Sequence, residues 1–111
     1  MDEMFGVLAD PTRRQIIELL AERERSVGEL VDAFTVSQPA ISRHLRVLRE
    51  AGFVQVRGEG QRHIYQLDAA PLAELDAWLG RYRRFWADRL DDLERRLAER
   101  RRQQADEQRE E

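Results

Sequence analysis

Cysteine is absent from this sequence. That removes disulfides, thiolate catalysis and sulfur metal sites together, and it fits a cytoplasmic protein. Lysine is absent as well. All 19 basic residues are arginine, a bias that reads as genome composition rather than mechanism. Long apolar runs are missing: the longest are only a few residues, against the roughly 20 that a spanning helix needs, so no membrane association is expected. No apolar region succeeds a basic start, so no secretory signal is expected. Arg13-Arg14 before Ile16-Ile17 imitates a twin-arginine signal, but Glu18 and Glu22 interrupt the apolar stretch behind it, and an amphipathic helix is the better reading. There is no Ser/His/Asp or metal-hydrolase pattern, and no Gly-rich loop precedes a helix, so the chain is read as a non-enzyme.

What is present suits one modest domain of 111 residues, 41% hydrophobic and 37% charged. The net charge of −3 argues weakly against a nucleic-acid partner, but its distribution matters more than its sum. Residues 1–36 carry −4, whereas residues 37–63 carry +3. The positive charge is concentrated around Ser37-Gln38-Pro39-Ala40-Ile41-Ser42-Arg43-His44-Leu45-Arg46-Val47-Leu48. Ser37 is a good N-cap there, and Pro39 is tolerated in a first turn whose backbone donors have no helical partner. Ile41, Leu45 and Leu48 fall at i, i+4 and i+7 as a buried stripe. Gln38, Ser42, Arg43 and Arg46 point elsewhere, a polar, positively charged set with no acid among them. Such a helix suits a DNA major groove.

The flanking pattern gives this helix a setting. Met4, Phe5, Val7 and Leu8 predict a short first helix. Asp10-Pro11 opens a second, running to about Arg23 and burying Ile16, Ile17, Leu19 and Leu20. Ser26 caps a third, with Glu29 completing a capping box and Leu30, Val31 and Phe34 facing inward. Thr35-Val36 is a turn, Ser37 opens the fourth helix, and Gly52 stops it. The period then changes to alternation over Val54–Arg57 and Ile64–Leu67, with Gly58-Glu59-Gly60-Gln61-Arg62 as a tight polar loop, which predicts a β-hairpin. The expected fold is mainly α with a small β-hairpin, in the order α-α-α-α-β-β-α, a winged helix-turn-helix.

Pro71 restarts a long last helix. Leu72, Leu75, Leu79, Tyr82, Trp86, Leu90, Leu93 and Leu97 step by three or four, close to a heptad seam with one residue of offset between Tyr82 and Leu90. About 30 helical residues extend roughly 45 Å, and a second chain is the simplest cover for such a face. Apolar periodicity ends at Ala98. Residues 1–97 are therefore read as the DNA-binding and dimerisation domain, and residues 98–111 as a charged, fraying or disordered tail.

Taken in order, Leu8-Ala9-Asp10-Pro11-Thr12-Arg13-Arg14-Gln15-Ile16-Ile17-Glu18-Leu19-Leu20, then Ser37–Leu48, Ala51-Gly52-Phe53-Val54 and Gly60-Gln61-Arg62-His63-Ile64-Tyr65-Gln66-Leu67 resemble an ArsR-type (ArsR/SmtB) bacterial transcription regulator over about residues 1–97. The resemblance implies a homodimer that binds operator DNA and usually represses. It places Gln38, Pro39, Ser42 and Arg43 at major-groove contact positions and Arg57, Gln61 and Arg62 on the wing, and it makes the first and last helices the dimer interface. The metal sites of such regulators do not carry over. The region matching the cysteine-containing sensor box reads Glu29-Leu30-Val31-Asp32, and the last helix has no histidine. No metal and no cofactor is expected, and the small-molecule effector, if one exists, is unknown.

The expected DNA-contacting set is Ser37, Gln38, Pro39, Ser42, Arg43, His44, Arg46, Arg57, Gln61 and Arg62. Within it Arg46 is balanced between phosphate contact and helix-end charge, His44 reads as a packing or phosphate-contacting residue rather than a metal ligand, and Arg62 is weighed between DNA, which is favoured, and an ion pair with Glu59. The expected dimer interface is Met4, Phe5, Leu8, Leu72, Leu75, Leu79, Tyr82, Trp86, Leu90 and Leu93. The aromatic cluster of Trp78, Tyr82, Phe85 and Trp86 fits a dimer core better than a ligand pocket. The rival reading is a coiled-coil and winged-helix module that docks a protein and not DNA, supported by the acidic net charge and the long seam.

Overall fold

Asp10 organises the start of the chain. Its carboxylate accepts the amide hydrogens of Thr12 and Arg13 at 2.8 and 3.1 Å, so it caps a helix whose first residue is Pro11. In the computed structural model, which describes residues 2–110, six helices and three strands follow one another. They are α1 (Asp2–Leu8), α2 (Pro11–Glu22), β1 (Arg25–Ser26), α3 (Val27–Asp32), α4 (Gln38–Glu50), β2 (Val54–Glu59), β3 (Arg62–Leu67), α5 (Ala70–Gly80) and α6 (Arg83–Glu110). The chain divides into two compact units, one ending at Leu75 and the other beginning at Asp76.

In the first unit, Ile16, Ile17 and Leu20 of α2, Leu30 of α3, and Ile41, Leu45 and Leu48 of α4 meet Phe53 and Val54 in one core. Met4 and Val7 of α1 close it. Both caps expected around the helix-turn-helix are present. Ser26 and Glu29 form a reciprocal capping box, and the Ser37 hydroxyl accepts the Ala40 amide at 3.3 Å. Gly52 ends α4 at φ +84°, a left-handed position that other residues adopt at a cost.

The wing is larger than a hairpin. β2 and β3 pair antiparallel from Val54↔Leu67 to Glu59↔Arg62, so only Gly60 and Gln61 remain in the turn. Gly60 takes φ +63° while Gln61 does not take a positive φ, the pattern of a II′ hairpin turn with glycine first. A third strand adds to the other edge of β3: Arg25 pairs with Tyr65 and Ser26 with Ile64, giving the order β1-β3-β2. Two residues show no alternation, and Ser26 also serves as a cap, so this strand leaves no periodic trace in the sequence.

The long last helix is in fact two. Gly80 ends α5, and the amides of Arg81, Tyr82 and Phe85 bond three residues back, to Trp78, Leu79 and Tyr82, before α6 continues. Glycine's low helix propensity favours a break here, whereas the seam's offset, between Tyr82 and Leu90, falls within α6. The charged end differs too: α6 stays helical through Glu110, although no apolar face holds it. Ala, Arg, Gln and Glu dominate there, and all are strong helix formers.

The two faces of α4 predict a contrast. Leu45 is sealed in the core, so Leu45→Ala should cost about 2–5 kcal/mol of unfolding free energy. Arg43→Ala, two residues away on the exposed face, should change it by no more than about 0.5 kcal/mol. Urea denaturation followed by circular dichroism reads both, and equal losses would contradict the placement of α4.

Candidate nucleic-acid interface

α4 is set against α2 and α3 by its apolar stripe, which leaves its opposite face outward. Gln38, Pro39, Ser42, Arg43 and Arg46 are all exposed on that face. Among the described residues, Arg43 and Arg46 have no ion-pair partner. Two unpaired guanidinium groups and two neutral hydrogen-bonding side chains therefore share one helix face. That chemistry matches the acceptors on guanine edges and phosphates. The outward turn of α4 and the tip of the wing also share a surface: Gln38 and Ser42 face Gln61, Arg62 and His63 across an open cleft of about 660 Å³, with Glu29 among its other lining residues.

Other predicted contacts stand differently. His44 is half-buried, and its Nδ1 accepts a hydrogen bond from Arg13 Nε at 3.3 Å. Its visible contact therefore ties α4 to α2. Arg57 is held by Glu24 through two short bonds, Nη1 to Oε2 at 2.5 Å and Nη2 to Oε1 at 2.6 Å, with Glu59 at 3.4 Å. Arg62 pairs with Glu29 at 3.3 Å rather than with Glu59. Gln61 stands exposed at the tip.

The electrostatics derive from these pairs. The hydrogen bonds from Arg57, then Gln66, hold the Glu24 carboxyl down at about 2. Arg57 is correspondingly raised, first by its bond to Glu24. Glu29 is also lowered, chiefly by Arg23 and by the Ser26 amide. The acids of the α2–α3 connection thus neutralise part of the wing's positive charge, whereas α4 keeps its own.

Three useful residues escape a reading of the sequence alone. Arg14 donates to the carbonyls of Leu8 and Ala9 at 2.7 and 3.1 Å, capping the end of α1, and Arg13 reaches Val7 at 3.5 Å. Arginines in the first turn of α2 oppose the helix dipole, and that local conflict is the signal that they have specific partners. Glu24 sits in the alternating Glu22-Arg23-Glu24-Arg25 and carries no such mark.

The expected dimer surface separates into two parts. Met4 is 7% exposed and packs in the core, where α1 lies on α2. Leu8, Leu72 and Leu75 are half-buried against the same core, and Leu79 is half-buried. Phe5, Tyr82, Trp86, Leu90 and Leu93 are exposed, as are Phe85 and Leu97. Within the second unit Trp78 and Tyr82 meet edge to face at 5.3 Å, and Arg89 lies 5.1 Å over the Phe85 ring. The aromatic cluster leaves an apolar stripe on α6 from Trp86 to Leu97 open.

Residues 10–56 match the bacterial regulatory protein, arsR family. The chain is 46% identical over 89 residues to the HTH-type transcriptional regulator Rv2034 of Mycobacterium tuberculosis, spanning 80% of each chain. It is 33% identical over 79 residues to the transcriptional repressor SdpR of Bacillus subtilis, spanning 71% of this chain and 88% of that one. Its fold superimposes with a TM-score of 0.61 at 32% identity on a homodimeric winged helix-turn-helix DNA-binding domain, Mb0332 of Mycobacterium bovis, covering 71% of this chain and 73% of the other. With α4 as its outward, arginine-bearing helix and a three-stranded wing beside it, the chain belongs to the arsR family of bacterial regulatory proteins and is a winged helix-turn-helix transcriptional regulator.

Proposed function

We propose that this regulator is a cytoplasmic homodimeric repressor that binds a pseudo-palindromic operator. The observation that carries the reading is the outer face of α4, where Arg43 and Arg46 are exposed, with no ion-pair partner among the described residues, beside Gln38 and Ser42. Gln38, Pro39, Ser42 and Arg43 meet base edges, Arg43 in the bidentate mode suited to guanine. Ser37 at the helix start and Arg46 on the second turn meet phosphate, and Gln61 and Arg62 extend the contact from the wing. His44 positions α4 through Arg13. Repression results from occupying the promoter that the operator overlaps.

The dimer is supported by the stripe on α6, where Leu90 and Leu93 are each 52% exposed. A row of leucines at heptad spacing is covered most simply by a second copy. Two recognition helices then stand about one helical turn of DNA, ~34 Å, apart. In this reading residues 1–97 carry DNA binding and dimerisation, and residues 98–110 extend the last helix as a solvated segment. The relatives named a repressor and a homodimeric DNA-binding domain favour this reading over a module that docks only proteins.

Two experiments test the proposal. In a gel shift with the promoter region of the chain's own gene, Arg43→Ala should lose about 1–3 kcal/mol of discrimination between operator and unrelated DNA, and Ser42→Ala should weaken sequence preference, while both variants remain dimers. Absence of any sequence-selective shift by the wild type on genomic fragments at moderate salt would sink the repressor reading. Separately, Leu90→Glu with Leu93→Glu should give monomers in sedimentation and abolish operator binding together. A monomer that keeps full affinity would refute the dimer.

A further inference from the structure

Two arginines project from the wing, and the fold holds them unequally. Arg57 on β2 engages both oxygens of Glu24, at 2.5 and 2.6 Å. The Gln66 amide on β3 donates to the same carboxylate at 2.8 Å. Glu24 stands one residue before β1, and since Arg25 pairs with Tyr65, Glu24 falls in step with Gln66 and reaches past it to Arg57. One carboxylate thereby ties the α2–β1 link to both long strands of the wing. Arg62 has a single contact, 3.3 Å to Glu29. That glutamate is already engaged by Arg23 at 2.7 Å and by its capping box with Ser26. The Arg62 side chain is also more exposed than that of Arg57, 62% against 44%.

We propose that Glu24 and Arg57 are positioning residues: their forked pair fixes the wing to the helical body and withholds Arg57 from DNA, leaving Arg62 as the wing arginine that meets phosphate. The proposal rests on the reading that α4 and the wing bind DNA. A two-pronged guanidinium–carboxylate pair is the strongest geometry open to arginine. For Arg57 to reach a phosphate it would exchange one such pair for another and leave Glu24 beside the nucleic acid. Arg62 gives up one long, shared, solvated contact, of the kind worth little in water. The strut also compensates for a weak attachment, because β1 contributes only two residues and a hairpin alone is marginal. A wing already fixed loses less conformational freedom when DNA is bound. Glu24 remains ionised far below neutral pH, so the strut persists through the physiological range.

The test uses the full chain as the dimer and a genomic fragment that wild type shifts selectively, with affinity measured against salt. Each phosphate contact contributes a slope of about 0.9 in log affinity against log salt. Arg62→Gln should lower the slope by about 2 per dimer. Arg57→Gln should leave it within about half a unit of wild type while weakening binding roughly fivefold, whereas Glu24→Gln, which frees Arg57, should not lower it. The doubly reversed Glu24→Arg/Arg57→Glu should recover what either single reversal loses, to within about twofold. In the protein without DNA, Glu24→Gln should speed amide exchange across residues 54–67, and the double reversal should restore it. This last readout needs no operator, so it stands even if the DNA reading fails. The proposal is overturned if Arg57→Gln lowers the salt slope as Arg62→Gln does, if Glu24→Gln lowers it too, if the double reversal recovers nothing, or if wing exchange is unmoved.

Discussion

Ile41, Leu45 and Leu48 are sealed from solvent, and their burial orients every other residue of α4. At 3.6 residues per turn a helix has one rotation about its axis that hides all three. In that rotation Gln38, Ser42, Arg43 and Arg46 face outward. Burial of three such side chains contributes several kcal/mol, about 1.5–3 each, far more than any exposed polar contact could offset. The reading face is thus held by residues that never touch a ligand. Ser37 and Gly52 fix where the helix begins and ends, so the polar residues are set along its length as well as around it.

Much of this was legible in the sequence because each element carried its own local mark. Asp10, Ser26 and Ser37 announce three helix starts, and all three side chains accept the backbone donors that a cap should. The stripe on α4 and the glycine at position 60 mark the recognition helix and the wing tip as plainly. What escaped was interaction between segments distant in sequence. β1 is two residues long and defined by its pairing with β3, which no window of sequence contains. Glu24 meets Arg57 across 33 positions, so Arg57 reads as a DNA contact until the fold brings its partner alongside. Met4 has the same apolar character as Phe5, yet one is buried and the other exposed. Only the docking angle of α1 on α2 separates them. The break at Gly80 lies between these cases: the glycine was visible, but the apolar steps run through it unbroken, and the seam's offset falls later, within α6.

Charge resolves an apparent contradiction. A chain of net −3 is an unpromising partner for a polyanion. Yet a charge within a Debye length, about 8 Å at physiological salt, outweighs those on the far side of the molecule. Of the five arginines in residues 37–63, Arg43, Arg46 and Arg49 have no acidic partner among the described residues, while Arg57 and Arg62 are partly neutralised by Glu24 and Glu29. Within residues 37–63 the unneutralised positive charge is therefore graded, strongest at α4 and weaker at the wing. A protein whose arginines were all unpaired would bind every sequence tightly. In the proposed complex, unpaired arginines on the helix that enters a groove tie the electrostatic gain to the contact that also reads bases.

The same gradation explains why a second copy matters. A single module with few phosphate contacts belongs in the range of non-specific binders, about 10⁻⁵ M. Joining two modules rigidly makes the second contact intramolecular, at an effective concentration of order mM, and the pair then binds at about 10⁻⁷ M with no new kind of contact. In the proposed dimer the α6 stripe is in that sense an affinity determinant. It also acts as a filter. Two heads at fixed separation gain this factor only on half-sites with matching spacing, so in the proposed complex the leucines from Leu90 to Leu97 would contribute to specificity through geometry and Arg43 through chemistry.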